Sequence, residues 1–482
     1  MLVQRITEWA ASQPGRPALI DGDVRISYAQ LARMIEATRR HLQTENLPAG
    51  AFAAVFSRTA TERWVTALAL RVLGLNAICV PSLEIAVQLG IRNLACVAVT
   101  QEASSRTRTL PPALRESSLI VIPQTLFNGG VGAAPPVRPG DGRPYGGHLL
   151  YTSGTTGTYK KVLFDGVREE GALLWLADAM SLDRNTVFHA VDFPPWTALS
   201  ARCTPGVWFQ GGCVVVSHEG PDRFHDFMRH RPTHTLLIPS MLPQLLAARR
   251  DTDRPETDLD MSVGGGFVPL SMAQRAIQRM TPKLNILYGS TEVVALLRSR
   301  FESLEDLHWL APHKSVVQIV DGDGNECAVG AEGELRVGVR TFDCPGYLDD
   351  AETTAKFYRG GYFYPGDLAV KREDGRIRVI GRTEDVVNIR GWKHAAAPLE
   401  ERIQGRLGVD AVCIFSELDE AGEDRILIAL ETDRRPSDED LSAAIKDEKG
   451  FDRIRWVFLK SFPRTQTGMN KVNRRQLRTL VS

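Results

Sequence analysis

The stretch LLYTSGTTGTYKKV, residues 149–162, sets a loop of small hydroxyl residues, two glycines and two lysines behind a short apolar run. Gly154 and Gly157 let the backbone bend so that its N–H groups can converge on one anion. Hydroxyl donors and cations surround them, at Thr152, Ser153, Thr155, Thr156, Lys160 and Lys161. We therefore predict a phosphate-binding loop, with an exposed turn rich in Ser, Thr and Gly as the alternative.

This loop differs from the phosphate loop of the P-loop ATPases. The order G-x-x-x-x-G-K-[ST] is absent, and the β-type run KKVLF follows where a helix would be expected. An unrelated P-loop ATPase is therefore a weak alternative.

The composition bounds the class of protein. A length of 482 residues predicts about three structural units. The 58 basic and 58 acidic side chains cancel, which argues against a partner such as nucleic acid or anionic lipid. Seven dispersed cysteines without a C-x-x-C pair predict reduced thiols, not disulfides or a zinc site. With no apolar run of membrane length and no secretory signal, we expect a cytoplasmic protein without a membrane span.

Hydrophobic periodicity predicts an α/β protein. The runs AFAAVFS and NAICVPS flank the helical ERWVTALALRVLGL, the βαβ rhythm of an α/β sheet. From about residue 311 strands alternate with tight turns, and D-G pairs at 321–324 and 374–375 indicate hairpins. We predict a large N-terminal α/β domain with sheets and a small β-rich subdomain, residues 1–383, and a small α+β C-terminal domain, residues 384–482.

Five motifs follow one another in a recognisable order: YTSGTTGTYKK, YGSTE (288–292), YPGD (364–367), GRTEDVVNIRG (381–391) and GMNKVNR (468–474). Together they resemble the adenylate-forming enzymes, which include acyl- and aryl-CoA synthetases, adenylation domains of nonribosomal peptide synthetases, and luciferases. The resemblance spans nearly the whole chain. It implies ATP and Mg²⁺ as cofactors, activation of a carboxylic acid to acyl-AMP, and transfer of the acyl group to a thiol.

The resemblance also implies roles for single residues around the nucleotide. Glu292 matches the magnesium ligand and Thr291 the hydroxyl that contacts the α-phosphate. Tyr288 has a flat face suited to stacking on adenine. Asp367 matches the acceptor of both ribose hydroxyls, and Arg382 an arginine that reaches the ribose and phosphates.

In the C-terminal domain the resemblance implies a catalytic lysine and a hinge. Lys471 matches a lysine that contacts the substrate carboxylate and the α-phosphate, although Met469 and Asn470 stand as an insertion before it. Glu384 takes the hinge position, about which the mobile domain rotates between its two reactions. Gly391 matches a glycine facing the thiol tunnel.

The acid is predicted from the expected pocket walls, DFPPWTALSA (192–201) and VGGGFVP (263–269). Amino-acid-activating relatives keep an Asp where Trp196 or Thr197 stands here. An unpaired ammonium in a dry pocket is costly, so an α-amino acid is disfavoured and an aryl or fatty, apolar acid is expected. Gly264, Gly265 and Gly266 would let substrate or adenine lie close to backbone. A core tryptophan and a plain glycine turn are the alternatives.

The acceptor thiol is expected to be coenzyme A, because the sequence includes no carrier-protein domain. The phosphopantetheine arm of a separate carrier protein is the alternative. A catalytically lapsed nucleotide- or acyl-binding protein is the rival of another class, supported by the insertion before Lys471 and by Tyr159 and Lys161 beside the loop.

Overall fold

The structure is a computed structural model. It describes residues 1–104, 109–129, 144–153, 159–191, 197–217, 225–248, 256–266, 268–293, 297–300, 302–303, 306–389, 392–418, 424–446, 448, 451, 453–464 and 472–481.

The first part of the chain alternates helices and short strands. In chain order these are α1 (Leu2–Ser12), β1 (Pro17–Asp21), β2 (Val24–Ser27), α2 (Tyr28–Gln43), β3 (Phe52–Phe56), α3 (Ala60–Val72), β4 (Asn76–Cys79), α4 (Leu83–Gln88), β5 (Leu94–Thr100), α5 (Gln101–Ser104), β6 (Ser118–Ile122), β7 (His148–Ser153) and β8 (Tyr159–Phe164). Two short 3₁₀ helices, Pro112–Leu114 and Gln124–Phe127, lie between them.

The middle part keeps the same alternation. It comprises α6 (Gly166–Met180), β9 (Val187–Val191), α7 (Ala198–Gln210), β10 (Cys213–Ser217), α8 (His225–His230), β11 (His234–Leu237), a 3₁₀ turn (Pro239–Met241), α9 (Leu242–Ala248), β12 (Asp260–Gly264), α10 (Leu270–Arg279), β13 (Leu284–Tyr288) and β14 (Leu297–Arg300).

The last part is richer in strands. It comprises β15 (Ala311–Pro312), β16 (Val317–Val320), β17 (Glu332–Gly338), α11 (Ala351–Phe357), β18 (Tyr358–Arg359), β19 (Tyr362–Phe363), β20 (Asp367–Lys371), β21 (Ile377–Arg382), β22 (Val386–Ile389), β23 (Trp392–Ala395), α12 (Ala396–Leu407), β24 (Ala411–Leu418), β25 (Asp424–Glu431), α13 (Asp438–Ile445), β26 (Ile454–Leu459) and α14 (Arg474–Val481).

Among the described residues the strands form three larger sheets. One has the order β15-β14-β13-β12-β11-β9-β10-β1-β2, parallel from β13 to β1 and antiparallel at both edges. A second has the order β6-β5-β3-β4-β7-β8, in which only the β7–β8 pair is antiparallel. The third, β18-β19-β17-β20-β21 with β16 on β17, is antiparallel throughout.

The C-terminal part has its own small sheets. β22 and β23 form a hairpin, and β24, β25 and β26 form a mixed sheet. A hydrophobic cluster that includes Leu399, Ile403, Ile428 and Leu430 packs α12 against this sheet. The predicted α/β class, with sheets in the N-terminal region, a β-rich segment after residue 311 and an α+β C-terminal part, is confirmed.

Local sequence explains where several elements begin and turn. Ser27 and Gln30 form a reciprocal capping box at the start of α2, and the Asp165 side chain accepts two backbone N–H bonds at the start of α6. The D-G pair at 374–375 forms the turn between β20 and β21, where Gly375 has φ +81°. A left-handed residue of this kind is what a tight hairpin turn requires, so this predicted hairpin is confirmed.

The first two sheets are joined through their helices. Trp64 of α3 meets Trp208 of α7 edge to face, with ring centroids 5.6 Å apart. Arg71 of α3 forms a two-pronged ion pair with Glu169 of α6, at 2.8 and 2.6 Å. Because the Arg71 side chain is fully buried, this pair fixes α3 against α6.

Candidate active site

The expected nucleoside-binding residues lie together at strand ends. Tyr288 is the last residue of β13, Asp367 begins β20, and Arg382 ends β21. The antiparallel register sets Asp367 opposite Arg382. The Tyr288 hydroxyl donates a hydrogen bond to Asp367 Oδ2, and Arg382 Nε lies 3.1 Å from Asp367 Oδ1. Three motifs distant in sequence thus meet at one carboxylate.

The YPGD turn that presents Asp367 is held through backbone carbonyls. Arg382 Nη1 donates to the Pro365 carbonyl at 2.6 Å, and Thr383 N–H donates to the Gly366 carbonyl at 2.9 Å. Gly366 has φ +80°, which glycine adopts without strain. Proline lacks an N–H but keeps its carbonyl, so Pro365 is compatible with the turn.

Charges at this carboxylate are well compensated. Asp367 is 7% exposed. Burial and the Asp367 carboxylate raise the pKa of Tyr288 well above its usual value, so the phenol remains a donor. Burial disfavours the charged form of Arg382, but Asp367 together with Tyr288, Asp385 and Glu292 outweighs burial and raises the pKa of that guanidinium.

The YGSTE loop is held from three sides. The Tyr347 hydroxyl donates to Glu292 Oε1 at 2.7 Å, and the Cys344 N–H donates to the Glu292 carbonyl at 3.2 Å. Arg202 of α7 donates from Nη2 to the Thr291 carbonyl at 3.2 Å. Glu292 is 8% exposed. The loop that carries the expected metal ligand is therefore fixed by side chains outside it.

Lys160 lies over an aromatic surface beside Glu292. Its Nζ is 3.5 Å from the centre of the Phe357 ring and 5.3 Å from that of Tyr347. Burial lowers the pKa of Lys160, and the nearby Glu292 partly offsets that effect. Electrostatic interaction with Glu292 also reaches Tyr288 and Arg382. The expected nucleoside-binding residues, Glu292 and Lys160 thus lie within electrostatic reach of one another.

Glu384, the expected hinge residue, follows this site directly in the chain. Its Oε1 lies 3.7 Å from Nζ of Lys356 in α11, and both side chains are exposed. Phe357, which contacts Lys160, is the next residue after Lys356. The end of α11 therefore contacts both the expected hinge and the expected phosphate-binding lysine.

The glycines predicted to line the pocket have different surroundings. A Cβ on Gly264 would lie 3.1 Å from the Leu287 carbonyl of the neighbouring strand, so this glycine permits close packing of β12 on β13. Gly265 is exposed and has φ +81°, and Gly266 is exposed beside Pro239. Thr197 is buried and caps α7, where its hydroxyl accepts from Ser200 N–H.

The remaining predicted residues are only partly placed. Thr152 and Ser153 end β7, on the strand that pairs with the strand of Lys160. Other predicted positions lie outside the described residues: Gly154, Thr155, Thr156, Gly157, Trp196, Gly391 and Lys471.

Sequence reasoning missed Tyr347, Phe357, Arg202 and Lys356. Tyr347 and Glu292 are 55 residues apart in the chain, and no spacing rule connects them. The aromatic pair FY at 357–358, directly after a lysine, was the available signal.

Two structural observations bear on metal binding and on membrane-spanning helices. No group of three or more His, Cys, Asp or Glu side chains in the described ranges is arranged to hold a metal ion. Of the helices that can be assessed, none is long and apolar enough to cross a membrane.

Comparison with known proteins gives a consistent result. The family model "AMP-binding enzyme" matches residues 133–347. Indoleacetate–CoA ligase of Aromatoleum aromaticum is 26% identical over 537 residues, covering 99% of this chain and 98% of that protein. Surfactin synthase subunit 3 of Bacillus subtilis is 24% identical over 494 residues, which cover 97% of this chain but only 38% of that protein.

The fold of solved structures agrees with these relatives. The O-succinylbenzoate–coenzyme A synthetase of Bacillus subtilis, solved in complex with ATP and magnesium ion, superposes with a TM-score of 0.83 at 20% identity. The match covers 98% of this chain and 99% of that one. The chain is therefore similar to AMP-binding enzymes over residues 133–347, and over nearly its whole length it is similar to a CoA ligase and shares the fold of a coenzyme A synthetase.

Proposed function

We propose that this ligase joins ATP to an aryl or apolar carboxylic acid, forms the acyl-AMP with release of pyrophosphate, and transfers the acyl group to coenzyme A with release of AMP. The observation that carries the proposal is the meeting of Tyr288, Asp367 and Arg382 at one buried carboxylate, within electrostatic reach of Glu292 and Lys160.

The nucleoside end of ATP suits this arrangement. Asp367 presents two oxygens to neighbouring hydroxyls, as recognition of a ribose diol requires. Its present partners, Tyr288 and Arg382, are donors that hold the carboxylate in place. The Tyr288 ring offers a flat face for adenine, and the guanidinium of Arg382 adds positive charge toward phosphate oxygens.

The phosphate end needs cations, because an anionic carboxylate must attack an anionic phosphate. Lys160 supplies one cation. Glu292 fits a Mg²⁺ ion, since this metal takes one or two protein carboxylates and completes its shell with phosphate oxygens and water. When bound, the metal neutralises charge on the phosphates.

The acid class is supported by the pocket sequence and by one relative. Trp196 or Thr197 stands where a carboxylate would pair with an α-ammonium group, and Thr197 is buried. An end-to-end match to indoleacetate–CoA ligase supports an aryl acid. Seven free cysteines, six of them buried, support a reducing compartment, the cytoplasm.

Coenzyme A is favoured over a carrier protein by the same end-to-end match. Partial coverage of a multidomain peptide synthase keeps the carrier-protein arm as the second candidate. Product formed with holo-carrier protein but not with free coenzyme A would establish that candidate instead.

Acid-dependent exchange of labelled pyrophosphate into ATP tests the first reaction. Pools of aryl, short-chain, long-chain and amino acids are compared, with Asp367→Asn as the control variant. Exchange with the aryl or apolar pools, and its loss in the control, would support the proposal. ATP binding without exchange in any pool would favour a catalytically lapsed binding protein.

A further inference from the structure

We propose that Tyr347 is a positioning residue for adenylation, which orients the Glu292 carboxylate toward a divalent cation and keeps Lys160 from neutralising it. The inference rests on the proposed function, since it takes Glu292 as the metal ligand.

The hydroxyl of Tyr347 fixes one oxygen of Glu292. The 2.7 Å hydrogen bond to Oε1 is buried, with Tyr347 6% and Glu292 8% exposed. A buried carboxylate with one oxygen held in this way keeps a single orientation and directs Oε2 elsewhere. Hydrogen bonds behind a metal ligand are known to set both its orientation and the affinity for the metal.

Tyr347 is itself held by hydrogen bonds that its own backbone and the backbone of nearby residues make. Its N–H donates to Thr354 Oγ1 at 2.8 Å. The next residue, Leu348, donates its N–H to the Lys161 carbonyl at 2.8 Å, and Cys344 donates its N–H to the Glu292 carbonyl at 3.2 Å. Segment 344–348 is therefore attached both to the loop of Glu292 and to the strand of Lys160.

The ring of Tyr347 belongs to the surface on which Lys160 rests. It packs edge to face against Phe357, with centroids 5.9 Å apart and planes at 89°. The Lys160 ammonium lies over Phe357 at 3.5 Å and near Tyr347 at 5.3 Å. An aromatic face attracts an ammonium through its quadrupole and carries no net charge.

This arrangement keeps the Lys160 ammonium near the Glu292 carboxylate but out of direct contact with it. Glu292 acts on the pKa of Lys160, yet these two described residues form no direct ion pair. A lysine bound to Glu292 would compete with a cation for the same oxygens. The aromatic surface, together with the Tyr347 hydroxyl, leaves the carboxylate available to the metal.

The variant Tyr347→Phe tests the inference, because it removes the hydroxyl and retains the ring. Mn²⁺ is the probe: its free concentration is followed by electron paramagnetic resonance while protein saturated with a non-hydrolysable ATP analogue is titrated. We expect Mn²⁺ affinity to fall about tenfold, as for other residues that support a metal ligand, while the melting temperature stays near that of the wild type.

Tyr358→Phe is the matched control. Tyr358 stands next to Tyr347 in space, with ring centroids 6.0 Å apart, and it too loses only a hydroxyl. We expect wild-type Mn²⁺ affinity from this control. Equal affinities in Tyr347→Phe and the wild type, or equal losses in both variants, would overturn the inference in favour of a packing role.

Phe357→Leu provides the second test if Tyr347→Phe does not fold. It leaves Tyr347 in place but removes the ring nearest to the Lys160 ammonium, so we expect this ammonium to move toward Glu292. Mn²⁺ affinity should again fall, and the added substitution Lys160→Met should restore it. Unchanged affinity in Phe357→Leu would refute the role of the aromatic surface.

Pyrophosphate exchange separates this inference from the proposed function. If Tyr347→Phe exchanges pyrophosphate at the wild-type rate and binds Mn²⁺ with unaltered affinity, the inference is overturned and the proposed function is not. Wild-type protein that binds Mn²⁺ with the nucleotide but shows no exchange would overturn the proposed function, while the Mn²⁺ titration still decides the role of Tyr347. If the wild-type protein binds no Mn²⁺, the premise that Glu292 is a metal ligand is overturned, and the inference with it.

Discussion

Arg474 of α14 lies 3.1 Å from Asp385, between its Nε and the carboxylate Oδ1. The preceding residue, Glu384, pairs with Lys356 of α11 instead. Arg474 also bonds Glu400 of α12 at 2.6 Å, so Asp385 is tied to the C-terminal part. Glu384 and Asp385 are thus held by different parts of the molecule. Any rotation between those parts must be absorbed near the peptide bond that joins these two residues.

The first prediction concerns this junction. Glu384→Pro restricts the backbone there and should spare adenylation while lowering thioester formation about 100-fold, because only one orientation of the C-terminal part remains accessible. Pyrophosphate exchange and thioester formation are measured separately. Lys371→Ala is the control, since it removes only a partly exposed ion pair with Glu326 and should leave both reactions within about twofold of the wild type. Equal loss of both reactions in Glu384→Pro would contradict the hinge assignment.

The second prediction separates the two functions of Tyr288. Tyr288→Ala should weaken ATP binding about 10- to 100-fold through loss of a stacking surface. Tyr288→Phe keeps the ring and loses only the hydrogen bond to Asp367, so ATP affinity should change less than about fivefold. Isothermal titration with ATP measures both. Equal effects in the two variants would show that the hydroxyl, not the ring face, contributes the affinity.

The third prediction concerns Lys471, which lies outside the described residues. Lys471→Ala should lower adenylation by about 10²- to 10³-fold, because charge developing at the α-phosphate loses its cation, while ATP still binds. Exchange kinetics and ATP titration measure the two effects. Lys460→Ala, at an exposed lysine of the C-terminal part of the chain, serves as the control. Wild-type exchange in Lys471→Ala would mean that the inserted Met469 and Asn470 have moved this role to another residue.

The fourth prediction concerns the buried pair of Arg71 and Glu169. Arg71→Met leaves a buried carboxylate without its partner and should lower the free energy of unfolding by about 3–5 kcal/mol. Replacing both residues with methionine removes the uncompensated charge, so the double variant should be more stable than Arg71→Met. Urea unfolding of both variants and the wild type measures this difference. A double variant less stable than Arg71→Met would contradict this prediction, because it would show that Glu169 stabilises the fold even without Arg71.

The fifth prediction is a pH dependence at Glu401 of α12. Burial raises the pKa of Glu401 to about 7, although Arg378 and Arg402 oppose the shift. At pH values between the pKa of Glu401 in the unfolded chain and about 7, its pKa in the folded protein, the unfolded chain ionises Glu401 while the folded protein keeps it protonated. Stability therefore falls as pH rises through this range.

Glu401→Gln should therefore match the wild type near pH 4.5 and be more stable at pH 8, by about 1 kcal/mol after allowance for partial exposure. Thermal unfolding across this pH range measures the difference. A constant difference at all pH values would contradict a titrating Glu401.

Several features of the fold were predictable because their causes are local. Apolar runs on both sides of a helical segment indicated the α/β class, and the D-G pair at 374–375 indicated the turn between β20 and β21. The YGSTE and YPGD motifs named the residue types that meet at the site. Gly264 has a packing role that no local pattern indicated, since a Cβ there would lie 3.1 Å from the Leu287 carbonyl; its place beside the substrate stays a prediction.

By itself, the sequence determined the class of fold, the order of the motifs and the chemical groups available to bind a nucleotide. Periodicity and turn chemistry act over a few residues, and side-chain chemistry belongs to the residue itself. Only the tertiary structure decided that Asp367 faces Arg382 across two strands, and that Tyr347 reaches Glu292 over 55 residues. Those contacts depend on strand register and on the packing of distant segments, which local patterns do not specify.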